Sequence, residues 1–235
     1  MKGLRKNLLA IAIAAVVLIV GVPWLYINVI KDDAPSRLTL DTQAPILVTT
    51  TMGSDTTSVV VPDGVTGAWK IGTDSVVGYR VKEILFGQST EGVGRTSAVT
   101  GTLEINDNAV TTAEFIVDMA TFKSDAGKRD EQFSGRIMDT ATFPTATFSL
   151  TTPIVLPESA ITGEKFSTTA VGDLSMHGTT MAVTIPIEAQ LTKGRVAVQG
   201  TINIVFADYG IPNPSIGPIK TEDNGDLELL LLFGR

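Results

Sequence analysis

From Trp69 onward the chain alternates apolar and polar residues with a period of two, and that alternation limits its fold more than any other feature. Met181, Val183, Ile185, Ile187, Ala189 and Leu191 fall on one face of a single segment. Val196, Val198, Gly200, Ile202, Ile204 and Phe206 repeat the pattern, with Gln199, Thr201 and Asn203 opposite. Side chains that flip at every residue describe half-buried β-strands. Roughly eight long strands of this kind can be counted, joined mostly by short turns. No amphipathic helix is long enough to cover a sheet, so the apolar faces must bury one another in a sandwich or a closed barrel. An eight-stranded barrel has an interior that is either filled by side chains or holds one ligand. Periodicity alone does not separate those outcomes.

Val77, Tyr79 and Val81 share one face of the first long strand, and Ala113, Phe115, Val117 and Met119 share one face of a later strand. Residues 87–101, rich in Gly, Ser and Thr, read as a long loop or a bulged strand. Asn106-Asp107-Asn108, His177-Gly178 and Lys193-Gly194 mark turns, and Asp223-Asn224-Gly225-Asp226 carries a tight hairpin signal before residues 227–233. Pro186 cannot donate to a ladder, which predicts an edge, a bulge or a locally unpaired site there.

One stretch interrupts this pattern. Residues 128–150, KRDEQFSGRIMDTATFPTATFSL, open with a charged, glycine-free run from Lys128 to Phe133 that suits a short helix. The chain then passes through Gly135 and a Phe143-Pro144 step into a further alternating segment, Ala146, Phe148 and Leu150.

The N-terminus has a different character. Residues 8–30 form an uncharged run of 23 residues. As a helix it would rise about 35 Å, enough to cross a bilayer core of about 30 Å. Lys2, Arg5 and Lys6 precede it, which by the positive-inside rule holds the N-terminus in the cytoplasm; Trp24 and Tyr26 suit the far interface. A cleaved signal peptide is the rival reading, but the run exceeds a typical signal core and no Ala-x-Ala site follows it. The sequence thus predicts residues 1–30 as a basic start and single transmembrane anchor in the plasma membrane. Residues 31–66, with their Thr, Ser and Pro, read as an extracytoplasmic linker, and 67–235 as the β-domain.

Charge and motif content narrow the function. All 25 acidic residues but only 15 of the 18 basic ones follow residue 30, so the exported part carries a formal charge of −10. That argues against nucleic acid and against a polybasic grip on lipid headgroups. Cysteine is absent, which removes disulfides, thiolate metal sites and a cysteine nucleophile. A single histidine, His177, sits in a turn; a catalytic role would need a carboxylate within reach and an adjoining cleft. The acidic cluster from Glu222 to Glu228 lacks the spacing of an EF-hand loop. No nucleophile elbow, Walker loop or dinucleotide fingerprint is present. No enzyme activity, cofactor or metal is expected.

Several motifs fall in a recognisable order. They run from Ala68-Trp69-Lys70-Ile71 through Asp74-Ser75-Val76, Tyr79-Arg80-Val81 and Val99-Thr100-Gly101-Thr102-Leu103 to Lys128-Arg129-Asp130. Phe143-Pro144-Thr145-Ala146-Thr147-Phe148 and the run from Gly172 to Thr180, GDLSMHGTT, complete the set. In that order and spacing the domain resembles the YceI-like family of bacterial lipid- and polyisoprenoid-binding proteins. Glu83 departs from the pattern, standing where many members have a histidine. The resemblance implies a lipocalin-like, eight-stranded antiparallel barrel with a short helix in its central stretch. It also implies an elongated apolar cavity that binds an isoprenoid or fatty acyl chain without chemistry.

On that reading Tyr79, Val81, Phe115, Val117, Phe133, Met138, Phe143, Phe148 and Met176 are the candidate cavity residues. Residues 128–150 are expected to cross one barrel end and close or gate the cavity. Phe133 and Met138 would then be inward contacts, with Arg129 and Asp130 fixing the segment in place. The alternative is a filled barrel acting as a cell-surface interaction module, which predicts no cavity above the size of a water molecule.

Overall fold

A computed structural model of the chain describes Gly21, Trp24 and residues 34–40, 65–192 and 194–235. The predicted anchor, apart from Gly21 and Trp24, lies outside the described residues, as does most of the predicted linker. Among the described residues no helix is long and apolar enough to cross a membrane.

Eight antiparallel strands close a ring. In chain order the strands are β1 (Gly67–Ile71), β2 (Val76–Leu85), β3 (Gln88–Thr96), β4 (Val99–Asn106), β5 (Ala109–Asp118) and the short β6 (Lys123–Ser124). They continue with β7 (Thr145–Leu150), β8 (Ile154–Val155), β9 (Phe166–Met176), β10 (Thr179–Thr192), β11 (Arg195–Val205), β12 (Ile219–Thr221) and β13 (Asn224–Gly234). The ring runs β1-β4-β5-β7-β9-β10-β11-β13 and returns to β1 through Lys70↔Gly234 and Ile71↔Phe233. Closure pairs most strand edges, with β10 before Ile187 paired on one side only, and the apolar faces turn inward as the alternation predicts, apart from the exposed Met181. β2 pairs with the first half of β13, from Asp226↔Arg80 to Leu230↔Val76, so β1 and β2 flank β13 at different heights. The β2–β3 hairpin extends past the ring and carries β6 and β12.

Local turn chemistry accounts for much of the register. Three hairpins close on two residues that both have positive φ, the geometry of a type I′ turn. These are Phe86-Gly87 (51° and 83°), Asp107-Asn108 (48° and 60°) and His177-Gly178 (50° and 77°). Pro186 pairs with Thr169 of β9, and the ladder between β10 and β11 begins only at Ile187, so the proline sits where β10 is paired on one side.

Two local expectations change. Residues 88–96, inside the stretch read as a loop or bulged strand, form the regular strand β3. Asn224-Gly225 does not turn a hairpin: both residues open β13, opposite Val205 and Ile204 of β11. Gly225 is required there by close approach, since a Cβ would meet Val81 Cγ2 at 3.0 Å and the Arg80 carbonyl oxygen at 3.2 Å.

The central stretch forms α1 (Gly127–Gln132), which runs into a π-helical turn, Phe133–Ile137. A second helix of one turn, α2 (Glu158–Ile161), follows β8. Residues 34–40, within the predicted linker, lie against the outer wall. Leu38 and Leu40 pack on Leu230 of β13, with Val76 and Ala197 alongside.

A candidate apolar cavity in one half of the barrel

The barrel interior divides at mid-height. In one half, Val99, Val117, Ala146, Leu174, Met176, Ile204 and Phe206 pack solidly together. In the other, alternate residues of the ring strands surround a cavity of about 90 Å³, counted as the room open to water centres. Its walls are Leu103 and Ile105 of β4, Val110, Ala113 and Phe115 of β5, and Phe148 and Leu150 of β7. β9 contributes Phe166, Thr168 and Ala170, and β10 contributes Ile185, Ile187, Ala189 and Leu191. Val196 and Val198 of β11 and Leu229, Leu231 and Phe233 of β13 close the circle, and Val65, Ile154, Leu156 and Ala160 cover the end. One water needs roughly 10–15 Å³ on this measure, so the space exceeds what a filled barrel leaves.

The lining is apolar apart from Thr168 and Gln190, and the Gln190 amide donates to the Gly163 carbonyl at 2.9 Å. No charge faces the cavity, and a wall of this kind offers burial rather than chemistry.

The floor of the cavity is a stacked pair, Phe115 on Phe148, with ring centroids 5.0 Å apart and planes 18° from parallel. Glycines at inward positions make room for it. A Cβ at Gly101 would fall 2.7 Å from Phe115 Cα, and one at Gly172 would fall 2.5 Å from Phe148 Cζ.

The other candidate residues gather in the filled half or near its end. Tyr79 stacks on Phe133 at 4.9 Å and on Phe122 at 5.8 Å, and Phe122 meets Phe133 at 5.0 Å. Burial pushes the Tyr79 phenol well above its ordinary pKa, against the pull of the nearby Arg129. Val117, Met138 and Met176 are buried in the same core, and Val81 packs half-buried against it. Phe143 is half-buried and meets the His177 ring at 4.7 Å, with the planes tilted by 53°. Phe115 and Phe148 are thus the two members of the sequence-read set that border the cavity.

Residues 128–150 do close a barrel end, but it is the filled one. Arg129 donates to Glu83 at 3.0 Å and pairs with Asp125, while Asp130 accepts from the Ser124 amide and hydroxyl at 2.8 and 2.7 Å. Those bonds seat Phe133 and Met138 in the core. From that stretch only Phe148 and Leu150, both in β7, reach the cavity wall, so the segment is a plug on the far side rather than a gate.

Of the lining residues missing from the sequence reading, Ile105, Ile187 and Val198 lie on faces the alternation had turned inward, whereas Val110 reaches the wall through the register shift that skips Thr111. What went unread was height. The signal available was the inward glycines Gly101, Gly172 and Gly200, which mark the waist where the filled half ends.

His177 Nδ1 lies 3.1 Å from the backbone carbonyl oxygen of Tyr209, a partner that orients the ring without activating it. Among the described residues no three His, Asp or Glu side chains converge on a possible metal position.

A closed eight-stranded antiparallel ring with an apolar cavity in one half defines the class by architecture: a β-barrel with a hollow, apolar interior. Residues 69–233 match the model of the YceI-like domain, and the chain belongs to that family. No curated protein matches it. Solved structures share the fold, among them two with TM-scores above 0.5. One is a polyisoprenoid binding domain from Saccharophagus degradans implicated in plant cell wall breakdown, with 17% identity and a TM-score of 0.56. The match covers 72% of this chain and 98% of that one. The other is BcnA from Burkholderia cenocepacia, with 19% identity and a TM-score of 0.51, covering 67% and 95% of the two chains.

Proposed function

We propose that this protein holds a long apolar chain, isoprenoid or fatty acyl, inside its barrel, on the extracytoplasmic side of the membrane to which residues 8–30 anchor it. The observation that carries the binding part is the cavity: about 90 Å³ of narrow space enclosed by two dozen almost wholly apolar residues. A flexible hydrocarbon needs nothing else, because each buried methylene contributes about 0.8 kcal/mol. Membership of a family with a polyisoprenoid-binding structural relative supports the same ligand class. The anchor rests on the length of the uncharged run and the basic residues before it.

The test is to purify the full chain from its native membrane and extract it for mass spectrometry beside an Ala113→Trp variant whose cavity is blocked. A chain lipid enriched in the wild type alone is the expected result. Equal extracts, together with no uptake of a hydrophobic fluorophore by either protein, would overturn the proposal.

A further inference from the structure

Residues 34–40 fix the end of the barrel from which the chain runs back toward residues 8–30. Arg80 of β2 donates to the Pro35 carbonyl oxygen at 2.6 Å, and Arg37 bonds Asp226 Oδ2 at 2.8 Å. Asp226 is near the start of β13, at the filled end of the barrel. The segment then runs toward Leu230, where Leu38 and Leu40 pack. Ala34 therefore sits beside the filled end, and four peptide steps separate it from Ile30, the last residue of the uncharged run. Fully extended, those steps reach at most about 14 Å. An eleven-residue strand such as β13 is about 36 Å long, or roughly 28 Å along the axis of a barrel with strands tilted about 40°. The tether is too short to bring the cavity end to the bilayer.

The filled end also carries exposed apolar side chains. Phe86, at the tip of the β2–β3 hairpin, is 54% exposed, its neighbour Ile84 is 48% exposed, and Ile216, in the turn leading to β12, is 47% exposed. Phe86 occupies a positive-φ turn position, where a large apolar side chain is an unusual choice. Val205, exposed at the end of β11, and Met181, exposed near the start of β10, lie at the same end, whereas among the described residues the exposed large apolar residue at the cavity end is Val155 of β8.

We infer that the protein stands on its own membrane with the β2–β3 tip, Ile84, Phe86 and Ile216, seated in the lipid interface and the cavity end pointing away from it. This rests on residues 8–30 being the anchor. It makes the anchoring bilayer the docking partner of the tip. It also means that a ligand enters or leaves through the end remote from that bilayer, so its exchange partner approaches from the extracytoplasmic space.

The absence of cysteine allows a direct test on the full chain in liposomes. Single variants Phe86→Cys, Ile216→Cys and Val155→Cys, each at an exposed site, are labelled with bimane and exposed to lipids bearing nitroxides on their acyl chains. Circular dichroism checks that each variant is folded. Loss of fluorescence at 86 and 216 with none at 155 is the expected pattern. Quenching at 155, or equal water exposure at all three sites, overturns the orientation. A parallel carbonate wash separates the two premises. Protein that stays in the membrane with an unquenched tip refutes the orientation alone, and protein released by the wash refutes the anchor and the orientation with it.

Discussion

Phe115 and Phe148 stack at 5.0 Å across neighbouring strands β5 and β7, and this one contact separates the solid half of the barrel from the hollow half. Gly172 of β9 leaves the space that Phe148 occupies, since a Cβ there would come within 2.5 Å of the ring. The floor is therefore a three-residue arrangement drawn from three strands.

Phe148→Ala removes the floor. It is expected to destabilise the protein by about 3–5 kcal/mol in a denaturant titration and to lengthen the largest chain the cavity accepts. Gly172→Ala is expected to cost about 1–3 kcal/mol by overpacking without lengthening it. An unchanged maximum chain length in Phe148→Ala would place the floor elsewhere.

Affinity is expected to rise with ligand length by roughly fourfold per methylene, the equivalent of about 0.8 kcal/mol each, until the chain reaches the phenylalanine pair. Displacement of a fluorescent fatty acid by a homologous series measures it. A flat series would mean that the chain is not held inside the barrel.

Glu228 lies on the outer wall yet is only 2% exposed, and it accepts from Arg80 Nε at 2.8 Å and Arg37 at 3.3 Å. Glu228→Gln leaves Arg80, itself 4% exposed, without that charge partner. Arg80 keeps Glu91 at 2.5 Å as a second carboxylate partner, so the cost is that of one charged hydrogen bond, about 1.5–3 kcal/mol, and the unfolding midpoint is expected to fall accordingly.

Asp226 predicts a pH dependence. Burial would raise its pKa, but the Asn203 and Arg37 hydrogen bonds and the Arg37 charge outweigh that, and its carboxyl is held below the usual aspartate value. A group whose folded-state pKa is depressed contributes stability above its unfolded pKa, about 3.9, and loses it as pH falls through the folded value. The stability gap between wild type and Arg37→Ala is therefore expected to narrow below about pH 4, as read from thermal melts across the acid range.

Tyr209 is buried, and its hydroxyl has no hydrogen-bond partner among the described residues. Tyr209→Phe is expected to leave the melting temperature unchanged or raise it, because an unsatisfied buried hydroxyl is a cost. A loss above about 1 kcal/mol would reveal a partner for the hydroxyl, bound water included.

Much of the fold is written locally. His177-Gly178 and Asp107-Asn108 close their hairpins where the sequence places turns, and the run from Lys128 to Phe133 forms its helix from Gly127. Asn224-Gly225 fails as a turn because the ladder from β11 claims both residues, and the glycine admits β2 at close range. The cavity was less legible. Val117 and Phe115 lie two residues apart on one inward face, yet one is sealed in the core and the other borders open space.

By itself the sequence determined which side chains face inward, because a period of two assigns every residue of a strand to one face. It also determined that the interior would be apolar, since almost no charge falls on those faces. Only the tertiary structure decided which half of the interior stays open. Height along a barrel depends on the stagger between strands and on what enters from each end. Here the aromatic cluster of Tyr79, Phe122 and Phe133, held by the bonds of Arg129 and Asp130, fills one end, while the other ends beneath Leu156 and Ala160 with room to spare.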